Sequence, residues 1–188
     1  MSIAGGMFRA LERGESIGCT AIQVFTKNNN RWRAKPLTDA EVLRWHEQWE
    51  KSPIRSAVAH NSYLINMASP DKALVQKSID SMALEIERCE QLRIPFIVIH
   101  PGAYIDDGIT VGIERLVTAI NTLHNITQTV EVQICLETTA GQGTSIGYQF
   151  EHLAEIRSWI DAPYRLGVCI IHAIFLLLVM IFETEKLI

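Results

Sequence analysis

The feature that most constrains this chain is an alternation of two textures. Short apolar or β-branched runs are each followed by a longer segment with helical spacing. Ala21 to Phe25 (AIQVF), Ser56 to His60 (SAVAH), Phe96 to His100 (FIVIH), Val132 to Glu137 (VQICLE) and Arg165 to Ile171 (RLGVCII) read as strands. Between them, helices are expected from Asp39 to Glu50, with Thr38 or Asp39 as N-cap, and from about Asp71 to Leu92. Two more are expected from about Val111 to Asn125 and from Phe150 to Ile160. Strands buried on both faces and linked by helices form a parallel sheet.

The units recur roughly every 35 to 40 residues, the spacing of a (βα) barrel. A doubly wound open sheet is the alternative, weakened because no G-x-G-x-x-G follows an early strand. The glycines of Thr139 to Gly143 (TAGQG) lack the lysine of a P-loop. The chain has 188 residues, short of the roughly 250 usual for an eight-stranded barrel. The expected fold is therefore α/β, of (βα)8 TIM-barrel type and incomplete, with about five βα units. With 48% hydrophobic and 20% charged residues the chain is not disordered. A net charge of −4 excludes DNA binding by bulk positive charge, so a local basic loop or a metal would have to carry it.

Cys19, Cys89, Cys135 and Cys169 are scattered and form no C-x-x-C pair, which suits reduced thiols in a cytoplasmic protein. The first sixteen residues hold no apolar core of signal-peptide length. Ala173 to Phe182 (AIFLLLVMIF) is apolar throughout but shorter than the roughly 20 residues a membrane span requires. No membrane partner is expected.

Three of the expected strands end in a metal-ligand residue: His60, His100 and Glu137. In a parallel barrel all strand C-termini open on one face, where active sites are built. One histidine after a strand is more often a hydrogen-bonding loop residue than a ligand. Three such residues on consecutive strands select a metal site, with room left for water. His46, His124 and His152 fall within expected helices, where solvated or capping roles fit better. The loop Lys27 to Lys35 (KNNNRWRAK) suits phosphate contact and stacking; the alternative is a polar loop with Trp32 tucked against the barrel. Tyr63 and Leu64, just after His60, could wedge into a bent duplex or pack as core on the next helix.

The segments VFTKNNNRWR, HNSYLIN, RCEQL, IHPG, LETTAGQG, FEHLAEI and RLGVC, in this order from Val24 to Cys169, strongly resemble endonuclease IV. These enzymes are the zinc-dependent apurinic/apyrimidinic endonucleases of base-excision repair. The resemblance implies a (βα)8 barrel with three clustered zinc ions acting on double-stranded DNA with abasic sites. It implies hydrolysis of the phosphodiester 5′ to the lesion, by a metal-bridging hydroxide. His60 and His100 match the two histidines on the first zinc, and Glu137 matches the catalytic carboxylate bridging the first and second. Tyr63 and Leu64 match the loop that intrudes at the lesion. Asn30 stands where an arginine often lies in the early DNA-contact loop, with Arg31 beside it.

The chain also departs from the family. The opening G-A-H is absent, and after Cys169 the family's I-D-T-C-H-x-F-A-A-G-Y-D is replaced by Ile170-Ile171-His172-Ala173-Ile174-Phe175. With suitable codons, loss of one base after the isoleucine codon of a family-like sequence yields IIHAIFLLLVMIF, the residues from Ile170 to Phe182. The expected division is thus 1–169 as a partial endonuclease IV-like barrel and 170–188 as an out-of-frame apolar tail. At most one complete zinc site remains, so cleavage is expected to be severely impaired or lost. An open sheet edge would invite self-association. The other readings are a sugar isomerase or epimerase of related barrel fold, and a non-catalytic fragment.

Overall fold

The computed structural model describes residues 1–127 and 131–171. Five strands form one parallel sheet: β1 (Ala21–Phe25), β2 (Ser56–His60), β3 (Phe96–Ile99), β4 (Gln133–Glu137) and β5 (Leu166–Cys169). Their order in the sheet is their order in the sequence, β1-β2-β3-β4-β5. A doubly wound sheet reverses its order at a switch point. This one winds in a single direction, as a βα barrel does. The helices are α1 (Phe8–Ser16), α2 (Asp39–Lys51), α3 (Lys72–Leu92), α4 (Ile109–Thr127) and α5 (Phe150–Trp159), with a 3-10 turn at Pro163–Arg165.

Local chemistry sets the helix starts. Thr38 and Glu41 form a reciprocal capping box at α2, and Asp71 accepts from the N–H groups of Ala73 and Leu74 at α3. Helix α3 stops where Arg93 adopts the left-handed conformation. Helix α1 is absent from the expectations above, although Met7, Ala10, Leu11 and Gly14 follow its period and are buried. Gly14 brings α1 against the sheet: a Cβ there would lie 2.8 Å from Ile22 Cγ2 and 2.9 Å from Ile54 Cδ1.

The core sits between the helices and one face of the sheet. It takes Ile97 and Ile99 from β3, Ile134 and Leu136 from β4, and Leu166 from β5. Val98 and Cys135 alternate with these and lie outside that cluster, on the opposite face. The register pairs His60 with Val98, Val98 with Cys135, and Glu137 with Cys169. His60, His100 and Glu137 therefore share this second face by the two-residue period of strands.

Two expectations about the histidines need correction, and one open alternative is decided. Strand β3 ends at Ile99, so His100 is the first residue beyond it. His124 and His152 are buried rather than solvated, because both face the apolar side of their helices. Trp32 is half-buried against the core with the Lys77 ammonium 4.5 Å from its ring, so the packed alternative holds for this indole. All four cysteines are free, with Cys89 and Cys135 buried. Among the described residues β1 and β5 are the sheet edges. Of the segment 170–188, residues 172–188 lie outside the described residues. No described helix is long and apolar enough to cross a membrane.

Candidate metal centre

His60 and Glu137 are the last residues of β2 and β4, and His100 directly follows β3. Parallel winding brings all three to one end of the sheet. Both imidazoles face the same carboxylate oxygen, Glu137 Oε2. His60 Nε2 lies 2.9 Å from it and His100 Nε2 lies 3.2 Å from it. The imidazole rings stand nearly perpendicular with centroids 5.2 Å apart. One ligand atom from each residue lies within 4.8 Å of the others, the one such group among the described residues.

The surroundings prepare these atoms for a cation. The backbone carbonyl of Asn61 lies 2.8 Å from His60 Nδ1. A proton held there leaves the Nε2 lone pair directed into the cluster, as metal-binding histidines require. Burial works to raise the Glu137 pKa, but the hydrogen bonds from His100 and His60 outweigh it and bring it down to about 2. Burial works to lower the His60 pKa, but the hydrogen bonds with Glu137 and Asn61 outweigh that, and it is raised. Two imidazole nitrogens and a carboxylate held in its ionised form make a donor set that fits a divalent metal with an open position. The His100 side chain is 49% exposed, which leaves an approach from solvent.

The adjoining loops carry the other expected site residues. The Tyr63 ring is exposed and stands 5.4 Å from His60 and 6.0 Å from His100. It does not pack as core on α3, and Leu64 beside it is half-buried. Asn30 and Arg31 line the loop after β1, where both are exposed. Their turn is ordered locally: Asn28 Oδ1 accepts from the Asn30 N–H, and the Asn28 carbonyl accepts from the Arg31 N–H.

Several residues shape the site in ways that the sequence did not reveal. The Asn66 side chain meets the Ala103 backbone twice, donating to its carbonyl at 3.0 Å and accepting from its N–H at 3.1 Å. Ala103 in turn bridges to Ser145 in the loop after β4. The loops that carry His100 and Glu137 are thus joined to the loop that carries His60. Gly102 is required at this junction, since its φ is +98° and a Cβ would meet Asn66 Oδ1 at 2.5 Å. Lys27, Glu85 and Arg88 are also buried beneath the loops. Glu85 and Arg88 had a visible signal, since both interrupt the apolar stripe of α3 formed by Met82, Ile86 and Cys89.

The family model for the xylose isomerase-like TIM barrel matches residues 11–172. The chain belongs to this family. It is 45% identical over 170 residues to a protein of Chloroflexus aggregans named "Probable endonuclease 4", covering 90% of this chain and 59% of that protein. It is 46% identical over 169 residues to a protein of the same name from Geobacter sulfurreducens, covering 90% and 57%. Among solved structures it resembles endonuclease IV from Thermus thermophilus, with a TM-score of 0.79 and 33% identity, covering 90% of this chain and 60% of that one. The resemblance expected from the motifs is thereby borne out. A D-psicose 3-epimerase shares the fold at a TM-score of 0.68 but only 14% identity. The chain spans about 60% of the length of these relatives of the xylose isomerase-like family.

Proposed function

We propose that this chain carries part of a zinc-dependent apurinic/apyrimidinic endonuclease, a DNA base-excision repair enzyme that hydrolyses the phosphodiester 5′ to an abasic site. The observation that carries the reading is the meeting of His60, His100 and Glu137 on one carboxylate oxygen, in a chain 45% identical to a protein named as endonuclease 4. Zinc held by these three residues would supply Lewis acidity and lower the pKa of a water. Glu137 stays ionised and compensates the metal's charge, while His60 is oriented by the Asn61 carbonyl. Asn30 and Arg31 would contact the DNA backbone, with Arg31 offering a charged donor to a phosphate oxygen. Tyr63 and Leu64 would face the lesion.

A single three-residue group is expected to bind zinc weakly and to give severely reduced or no turnover. The assay is zinc stoichiometry beside cleavage of an abasic-site duplex. Chelator-sensitive turnover at rates usual for enzymes would contradict the impairment. Binding of free sugars in preference to abasic duplex would favour the epimerase reading, which rests on fold alone.

A further inference from the structure

The two loops proposed to meet DNA converge on a buried ion pair that the metal chemistry does not use. Lys27 lies two residues beyond β1 and Glu85 lies midway along α3. Lys27 Nζ and Glu85 Oε1 are 3.1 Å apart, and their side chains are 1% and 0% exposed. Burying two charges is costly, and an apolar pair of similar volume often serves stability as well. The other bonds of this pair point to a different role. Lys27 Nζ also donates to the Arg31 carbonyl at 2.7 Å. Glu85 Oε1 also accepts from the Ser62 N–H at 3.2 Å. Ser62 Oγ closes the circuit by donating to the Asn29 carbonyl at 2.6 Å.

The same face of α3 holds the rest of the first loop by its carbonyls. Arg88 donates from Nε to the Thr26 carbonyl and from a terminal nitrogen to the Lys35 carbonyl, at 2.8 and 2.9 Å. Ser81 Oγ donates to the Trp32 carbonyl at 3.3 Å. Every one of these bonds to the first loop falls on backbone, which leaves the Arg31 side chain exposed to solvent. Ser62 is two residues from His60 and immediately precedes Tyr63.

We propose that Lys27 and Glu85 are positioning residues: one buried pair fixes the Asn29–Arg31 turn against the Ser62–Leu64 turn, so that a nucleic-acid ligand meets a single rigid surface beside His60. The identity of the ligand rests on the function proposed above, whereas the coupling of the two turns does not.

The experiment compares the full chain with E85Q and with the double variant K27M/E85Q, by thermal melting and by amide hydrogen exchange. E85Q strands a buried ammonium and is expected to lower the melting temperature and speed exchange in both turns. The double variant removes both charges and keeps an acceptor for the Ser62 N–H. It is expected to regain the melting temperature while residues 28–31 still exchange about tenfold faster, because the Arg31 carbonyl has lost its donor. Recovery of both together would reduce the pair to a stability element and overturn the proposal. Should E85Q not fold, K27M removes the donor to the Arg31 carbonyl without stranding an ammonium. Unchanged exchange at residues 28–31 in K27M would overturn the proposal. Anisotropy with an abasic-site duplex runs in parallel. No binding by the unaltered chain would defeat the proposed function, while the exchange data would still decide the coupling.

Discussion

His60 and Glu137 meet at 2.9 Å across 77 positions of sequence, at the ends of two strands that do not pair with each other. The contact depends on β3 lying between them and on a common register. It makes the protonation and the metal affinity of each residue depend on the other.

Metal binding is expected to require all three ligand residues. H60A, H100A and E137Q should each weaken zinc or cobalt binding by more than about a hundredfold, since loss of an outer partner alone typically costs ten- to a hundredfold. Equilibrium dialysis reads the loss. Near-native affinity in any one of the three would show that the cluster is not the site.

The same pair sets a pH dependence. In chelator-treated protein, the raised pKa of His60 means that its contact with Glu137 contributes fully below the ordinary histidine value of 6.5. That contribution is lost as pH rises through the higher folded value. The melting temperature should therefore carry a downward slope with pH above 6.5 that H60Q removes. Zinc should reverse the slope, because binding needs the deprotonated imidazole.

His124 should act in the opposite sense. Burial, and then the nearby Arg165, push its pKa down from 6.5 to about 4. Between those values the unfolded chain takes up a proton that the folded chain refuses, so stability falls as pH drops through that window. Neither ring nitrogen has a hydrogen-bond partner among the described residues. H124L should flatten the acid limb of a melting-temperature profile, and an unchanged limb would assign it to other groups.

Gly14 offers a test of packing. Alanine is favoured over glycine inside a helix by about 1 kcal/mol, yet its Cβ would sit 2.8 Å from Ile22 Cγ2. Overpacking typically costs about 1–3 kcal/mol and should win. G14A is expected to lower stability in a denaturant titration, and G14V to lower it further.

We propose that the residues from Ile170 onward are read out of frame. Sequencing the gene should reveal a single-base loss near the Ile170–Ile171 codons, with barrel-like sequence in the restored frame. An in-frame gene without such sequence would refute this.

The candidate site was legible one residue at a time. His60, His100 and Glu137 each stand at the end of an apolar run, and a period of two with parallel winding is enough to send them to one mouth. Tyr63, Leu64, Asn30 and Arg31, expected from the motif resemblance, all fall on loops that follow strand ends. Helix α1 was missed although its spacing shows it, because nothing marked the segment as part of the fold. Glu85 was not singled out, and Lys27 was read with its loop as suited to phosphate contact, whereas it is buried against Glu85; both partners lie far apart in sequence.

By itself the sequence determined the strand runs, helices α2 to α5 and the identity of the candidate ligands, whereas helix α1 and the order of the strands came from the structure. Strand runs, helix caps and period-two placement are local or nearest-neighbour properties. Only the tertiary structure decided that both imidazoles address the same Glu137 oxygen, that His124 and His152 are buried, and that Trp32 packs inward. It also decided that Lys27 and Glu85 lie beneath the loops as a buried pair. Register, sheet stagger and the packing of α3 fix distances between residues that no local pattern links, and burial by those distant neighbours sets the protonation of each group.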